Sequence, residues 1–151
     1  MKHGLPAFNL KNADIIILGT FPGELSLCKK EYYANNSNHF WCLLGLNKHD
    51  MNGLKKLKIG LWDVIESCER DGSLDKHIKN SRYNDLRLLK GKQIWFNGKQ
   101  AYNYFITAQK KQNLDFKVNE KQILPSSSPS AHMDFETKKK KWCKIIKKIN
   151  M

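Results

Sequence analysis

Ile15-Ile16-Ile17-Leu18-Gly19-Thr20-Phe21-Pro22-Gly23 decides how this chain is read. A short, largely β-branched apolar run bounded by Gly and Pro predicts a strand buried on both faces, as in a parallel sheet. Glycines on both sides of Phe21-Pro22 let the backbone come close to a ligand at the strand's carboxyl end, where open α/β sheets place their sites. Further on, Tyr32-Tyr33-Ala34-Asn35-Asn36-Ser37-Asn38-His39-Phe40-Trp41 offers two tyrosines, several carboxamides and then Phe-Trp. Such a loop suits stacking on, and hydrogen bonding to, a flat heterocycle, which points towards a nucleobase.

Working outward, residues 14–19 form the first strand, and Phe40, Trp41 and Leu44 suit a short helix from Asn38 to about Leu46. Ile59 to Ile65 is a second buried run passing into a turn. Ser73 to Lys79 reads as a short capped helix, and Asn84 to Lys90 as another, stopped by Gly91. Gln93-Ile94-Trp95-Phe96-Asn97-Gly98 is a third buried strand, followed by a helix from Lys99 to about Gln112. Gln122-Ile123-Leu124 is a short fourth strand closed by Pro125. The last element is a helix from about Met133 to Ile149, with Phe135, Trp142, Ile145, Ile146 and Ile149 on one stripe and the lysines on the other face. Strands alternating with helices predict a single-domain, three-layer α/β/α sandwich over residues 1–151, with a mostly parallel central sheet of about four strands. Gly19 to Gly23, Asn97-Gly98 and Pro125 to His132 then converge at the strand carboxyl ends, where a cleft is the expected site.

Composition narrows the function. The chain has 151 residues, enough for one core. No apolar run is long enough to span a bilayer, and the N-terminal residues lack a secretory hydrophobic region, so a cytoplasmic protein is expected. Four scattered cysteines without Cys-x-x-Cys spacing argue against a zinc ribbon or iron–sulfur cluster and are read as reduced, buried structural thiols. The net charge of +13 attracts polyanions, nucleic acid first among them. Against this, only Arg70, Arg82 and Arg87 are arginine, and the lysines after Thr137 concentrate much of the excess in one tail, which a solvated helix face explains equally well.

These residues resemble the uracil-DNA glycosylase superfamily, in its hypoxanthine-specific (DNA-deoxyinosine glycosylase) branch. Gly19-Thr20-Phe21-Pro22-Gly23 stands in the place of the first superfamily motif, and Leu124-Pro125-Ser126-Ser127-Ser128-Pro129-Ser130-Ala131 in that of the second. Tyr33-Ala34 with Asn38-His39-Phe40-Trp41 resembles the base-pocket segment of mismatch-specific members. Gly60 to Val64, Ser67 to Leu74 and Phe96-Asn97-Gly98 resemble the hypoxanthine branch. The likeness covers almost the whole chain in order. Most members carry Asp or Asn before the proline of the first motif to position water, whereas this chain has Phe21, as the hypoxanthine branch does.

The resemblance implies a monofunctional DNA glycosylase that flips a deaminated base out of double-stranded DNA and hydrolyses its N-glycosidic bond. It implies no cofactor and no metal, and a monomer. By the match Asn38 is the catalytic residue, accepting from a water and orienting it. Tyr33 would stack on the flipped base, and Gly19, Thr20, Phe21, Pro22 and Gly23 would form the pocket, with Phe21 as its floor. Asn97 would read a purine edge or satisfy its own turn. Ser126, Ser127, Ser128, Pro129 and Ser130 would meet DNA phosphates. His132, which the resemblance does not assign, reads as a residue that starts a helix, or as one that contacts the leaving base because histidine titrates near neutrality. The Lys138–Lys141 run would add nonspecific DNA affinity. The plainer alternatives are Asn38 as a helix cap and Tyr33 as one more core aromatic. No carboxylate is assigned to the site, and no lysine lies in its motifs, which points away from Schiff-base lyase chemistry. Removal of uracil or another base on the same fold, a noncatalytic nucleic-acid-binding module, and a flavodoxin-like nucleotide binder are the alternatives.

Overall fold

Ile15–Gly19 is buried at every position because it lies in the middle of a parallel sheet with partners on both sides. The structure is a computed structural model that describes residues 1–129 and 133–149. The chain runs β1 (Lys2–His3), β2 (Ile15–Gly19), α1 (Glu24–Lys29), α2 (Phe40–Leu43), α3 (Met51–Lys56), β3 (Ile59–Asp63), β4 (Ile65–Glu69), β5 (Lys79–Tyr83), β6 (Gln93–Asn97), α4 (Lys99–Lys111), β7 (Ile123–Leu124) and α5 (Phe135–Ile149). The central sheet has the order β3-β2-β6-β7 and is parallel throughout.

Period-two alternation splits the apolar side chains of this sheet between two cores. Ile15, Ile17, Ile59, Leu61 and Trp95 pack against Phe40, Leu54, Trp142 and Ile145 on the α2, α3 and α5 side. Ile16, Leu18, Trp62, Ile94 and Phe96 pack against Ala101, Phe105 and Ala108 of α4 on the other. These are the three layers expected from the sequence.

A second sheet, β1-β4-β5, is antiparallel, and the sequence reading missed it. Its strands are short and polar, Lys79-Asn80-Ser81-Arg82-Tyr83 in β5, and carry no apolar alternation to betray them. The helix expected over Ser73–Lys79 is only a 3-10 turn at Asp75–His77 before β5, and that over Asn84–Lys90 shrinks to a 3-10 turn at Leu86–Leu89. The short helices α1 and α3 were likewise not foreseen. β4 follows β3 after one residue, Val64, and the amides at this junction fix the Gly19–Gly23 turn: Val64 N–H donates to Gly19 O (2.9 Å) and Ile65 N–H to Thr20 O (3.1 Å).

Two further expectations change. Cys68 is buried, but Cys28 and Cys42 are exposed, so the buried-thiol reading fails for both. Lys138 is fully buried on α5 and does not join Lys139, Lys140 and Lys141 on the solvated face. Its position three residues after Phe135 and four before Trp142 places it on the apolar stripe.

Candidate active site

A cleft of about 630 Å³ opens at the carboxyl ends of β2, β3 and β6. That is a usual size for a small-ligand pocket. Gly19 to Ser26, Tyr32, Tyr33, Asn35, Asn38, Asp63, Ser73, Leu74, Asp75, Asn97 and Ser126 to Pro129 line it. The segments expected to converge therefore do so, apart from Ser130, Ala131 and His132, which lie outside the described residues.

The Gly19–Gly23 turn is held from below. Arg70, buried at the end of β4, donates from Nη2 to Pro22 O (2.6 Å) and from Nε to Gly72 O (2.7 Å), and its guanidinium lies 5.1 Å from the centre of the Phe21 ring. Phe21 is itself buried against Ile65 and Cys68. This makes Phe21 an apolar wall of the cleft with no polar atom to offer a water.

Asn38 lines the cleft from the loop before α2. Its Oδ1 accepts from Phe40 N–H (2.9 Å), the local bond expected of an Asn before a helix. A carboxamide oxygen has two acceptor sites, so this bond orients the side chain and leaves capacity for a second donor. Tyr33 takes a positive φ of 52°, which turns its ring onto Phe40 in a stacked pair with centroids 4.0 Å apart and planes 18° apart. Trp41 Nε1–H donates to Tyr33 O (3.1 Å) and pins that strained residue. Phe40 and Trp41 are buried in the core.

The serine loop is tied to both neighbours. Asn97 Nδ2 donates to Ser127 Oγ (2.9 Å), and Ser127 N–H donates to Asn97 Oδ1 (2.8 Å). His39 N–H donates to Ser127 O (3.0 Å), which links the loop directly to the residue after Asn38. Ser127 is thus turned inward, with its N–H and hydroxyl occupied by Asn97, and does not present them to a phosphate. Asn97 in turn satisfies this loop, not its own turn. Gly98, at φ 95°, lets the two segments close: a Cβ there would stand 3.2 Å from Ser126 Cβ. Lys138 Nζ donates to Ser128 O (3.1 Å) and lies 3.4 Å from His39 Nδ1, while Trp142 Nε1–H donates to Pro125 O (2.8 Å). Burial holds the Lys138 amine below the usual lysine range.

The chief omission of the sequence reading is acidic. Asp63, the last residue of β3, lines the cleft at 5% exposure, and its Oδ2 has no hydrogen-bond partner among the described residues. Burial, with the Asp75 charge adding to it and Arg70 opposing, pushes its carboxyl up to about 7. Asp75 is also raised by burial, against a hydrogen bond from Thr20 and the charge of Arg70. Tyr33 is raised by burial and by the Asp63 charge. An acid closing the buried run Ile59-Gly60-Leu61-Trp62 was the one trace in the sequence, and its pairing in register with Gly19 is seen only in the structure.

The parallel α/β/α sandwich thus opens at its strand ends a cleft lined by the Gly19–Gly23 turn, by Tyr33 stacked on Phe40 and by the serine loop, which defines an open α/β fold with its site at the strand carboxyl ends. The sequence model of the Uracil DNA glycosylase superfamily matches residues 5–148. The chain belongs to that superfamily. It is 33% identical to the Hypoxanthine DNA glycosylase of Methanosarcina barkeri, over 97% of this chain and 99% of the relative. Identity to the Hypoxanthine DNA glycosylase of Methanosarcina acetivorans is 36%, over 94% of this chain and 96% of the relative. The solution NMR structure of a Methanosarcina acetivorans protein described as a candidate uracil DNA glycosylase superposes with a TM-score of 0.75 at 32% identity, covering 99% of each chain.

Proposed function

We propose that this protein is a monofunctional DNA glycosylase that hydrolyses the N-glycosidic bond of deoxyinosine and releases hypoxanthine. What supports the reading is Asn38 lining the same cleft as Phe21 and the stacked Tyr33, in a chain similar over its length to two hypoxanthine DNA glycosylases. It acts as a single domain and a monomer on double-stranded DNA in the cytoplasm, and needs no cofactor.

In this mechanism the nucleotide is extruded into the cleft, where Tyr33 stacks on the purine, worth about 1–3 kcal/mol. Phe21 and the Gly19–Gly23 backbone enclose the base. Asn38 Oδ1, oriented by Phe40 N–H, accepts a hydrogen bond from the attacking water and aims it at C1′ as the sugar becomes oxocarbenium-like. Ser126, Ser128 and Pro129 meet the DNA backbone, while Asn97 holds Ser127 behind them. Lys139, Lys140 and Lys141, all exposed, add salt-dependent affinity.

The test is base release from matched duplexes carrying one deoxyinosine or one deoxyuridine, with the freed base identified by mass. Hypoxanthine released well in excess of uracil supports the reading. Uracil alone would move the protein to another specificity of the same fold, and DNA binding without base release would make it a binding module.

A further inference from the structure

Asp63, the last residue of β3, lines the cleft at the carboxyl end of the central sheet. Its carboxyl is packed so tightly over β2 that a Cβ on Gly19 would stand 2.5 Å from Asp63 Oδ1 and 3.5 Å from Tyr33 Oη. Glycine at that position therefore makes room for the acid and the phenol together. Oδ2 is buried and finds no donor among the described residues. A buried carboxylate oxygen left without a donor is costly, so the arrangement favours the neutral acid, or a ligand that completes it.

We propose that Asp63 in its protonated form is a catalytic residue that donates a hydrogen bond, and then its proton, to the departing purine. The proposal rests on the glycosylase reading above. Hypoxanthine shares with guanine two acceptors, N7 and O6, on one edge. An ionised carboxylate can only accept and would repel that edge, whereas a neutral carboxyl donates to it. As the C1′–N9 bond breaks, its electron pair passes into the base. The Asp63 proton neutralises the base on its N7–O6 edge, the attacking water adds to C1′ and releases its own proton to solvent, and Asp63 is left as carboxylate until solvent reprotonates it. Atoms and charge balance, and no further reactant is required.

The groups facing Asp63 determine whether it holds a proton. Tyr32 and Tyr33 lie on the segment after α1, Asp75 on the 3-10 turn and Arg70 at the end of β4. Burial and Asp75 keep the proton on, and Arg70 alone acts against them, with a net position near 7. That suits a general acid at neutral pH.

The experiment is single-turnover release of hypoxanthine from a deoxyinosine duplex between pH 5.5 and 9, for wild type, Asp63→Asn and Asp63→Ala, with thermal unfolding of each. The wild-type rate should fall about tenfold per pH unit above an inflection near 7, relative to Asp63→Asn. Asp63→Asn keeps an N–H donor but no proton to give, so it should be slower by about 10- to 100-fold at pH 6 and lose this pH dependence. Asp63→Ala should be slower still. A folded Asp63→Asn whose profile runs parallel to wild type at every pH overturns the proposal and leaves Asp63 a structural residue. Release of no hypoxanthine by wild type overturns the glycosylase reading and the proposal together.

Discussion

Asn97 and Ser127 exchange two hydrogen bonds, Nδ2 to Oγ at 2.9 Å and N–H to Oδ1 at 2.8 Å, and thereby fasten the serine loop to the end of β6. Asn97→Ala leaves the Ser127 N–H buried and unpaired, at a cost of about 1–3 kcal/mol. Asn97→Asp keeps the acceptor for Ser127 N–H but loses the donor to Oγ, so its loss should be smaller. Thermal unfolding together with the amide shifts of Ser126, Ser127 and Ser128 checks this. Unchanged shifts in Asn97→Ala would show that the loop is held by other bonds.

Lys138 separates from its lysine-rich neighbours because its side chain points into the α5 core and meets Ser128 O and His39. Replacing exposed Lys139, Lys140 and Lys141 by Ala should lower the slope of log affinity against log salt, by up to about 0.9 for each lysine that touches a phosphate. Lys138→Met should leave that slope unchanged. Because the amine sits behind the serine loop and is absent from the cleft lining, borohydride should trap no covalent complex with abasic DNA. A Lys138-dependent trapped adduct would contradict the monofunctional assignment.

The parallel sheet was legible because Ile15–Leu18, Ile59–Trp62 and Ile94–Phe96 are largely apolar runs with polar or turn residues at their ends. Burial on both faces leaves that signature unmistakable. The antiparallel sheet was not legible. Glu66, Glu69, Lys79 and Arg82 are exposed, and the few apolar contacts of these strands, Ile65 and Cys68 against Phe21, are too sparse to give a period in the sequence. The cleft's membership followed from topology, since strand carboxyl ends converge whatever their side chains. Side-chain direction did not follow. Ser127 reads like its neighbours Ser126 and Ser128, yet it faces Asn97, and Lys138 reads like Lys139, yet it is buried. Asp63 went unassigned because a lone acid at a strand end is commonly a solvated turn residue, and only three-dimensional packing shows it enclosed.

Asp63 also predicts how stability varies with pH. Its carboxyl titrates near 3.9 in the unfolded chain and near 7 when folded. Between those values the folded state holds a proton that the unfolded state has released. Raising the pH through this window therefore favours unfolding, and the cost is complete above the folded value. Asp63→Asn removes a penalty on the order of 3–4 kcal/mol, an upper figure. The variant should be more stable than wild type at pH 8 and gain little at pH 4, as urea unfolding at the two pH values would reveal. An equal gain at both would mean that the carboxyl is already ionised below pH 4 in the fold.

Gly19→Ala places a methyl group 2.5 Å from Asp63 Oδ1, on backbone that cannot yield without breaking the Val64 N–H to Gly19 O bond. Overpacking of this kind costs about 1–3 kcal/mol. In the Asp63→Ala background the same substitution should cost much less, a coupling that a double-mutant cycle on unfolding free energy measures. Additive effects would contradict the contact.

The most direct test of the account is the single-turnover rate of hypoxanthine release by wild type and Asn38→Ala on one deoxyinosine duplex, with DNA affinity measured alongside. The account predicts a loss of about 10²–10³ in rate with affinity retained. The truncation should lower stability by only the roughly 0.5–1.5 kcal/mol of one local hydrogen bond, Phe40 N–H to Asn38 Oδ1. A rate within a few fold of wild type would contradict it and leave Asn38 as no more than the turn residue that precedes α2.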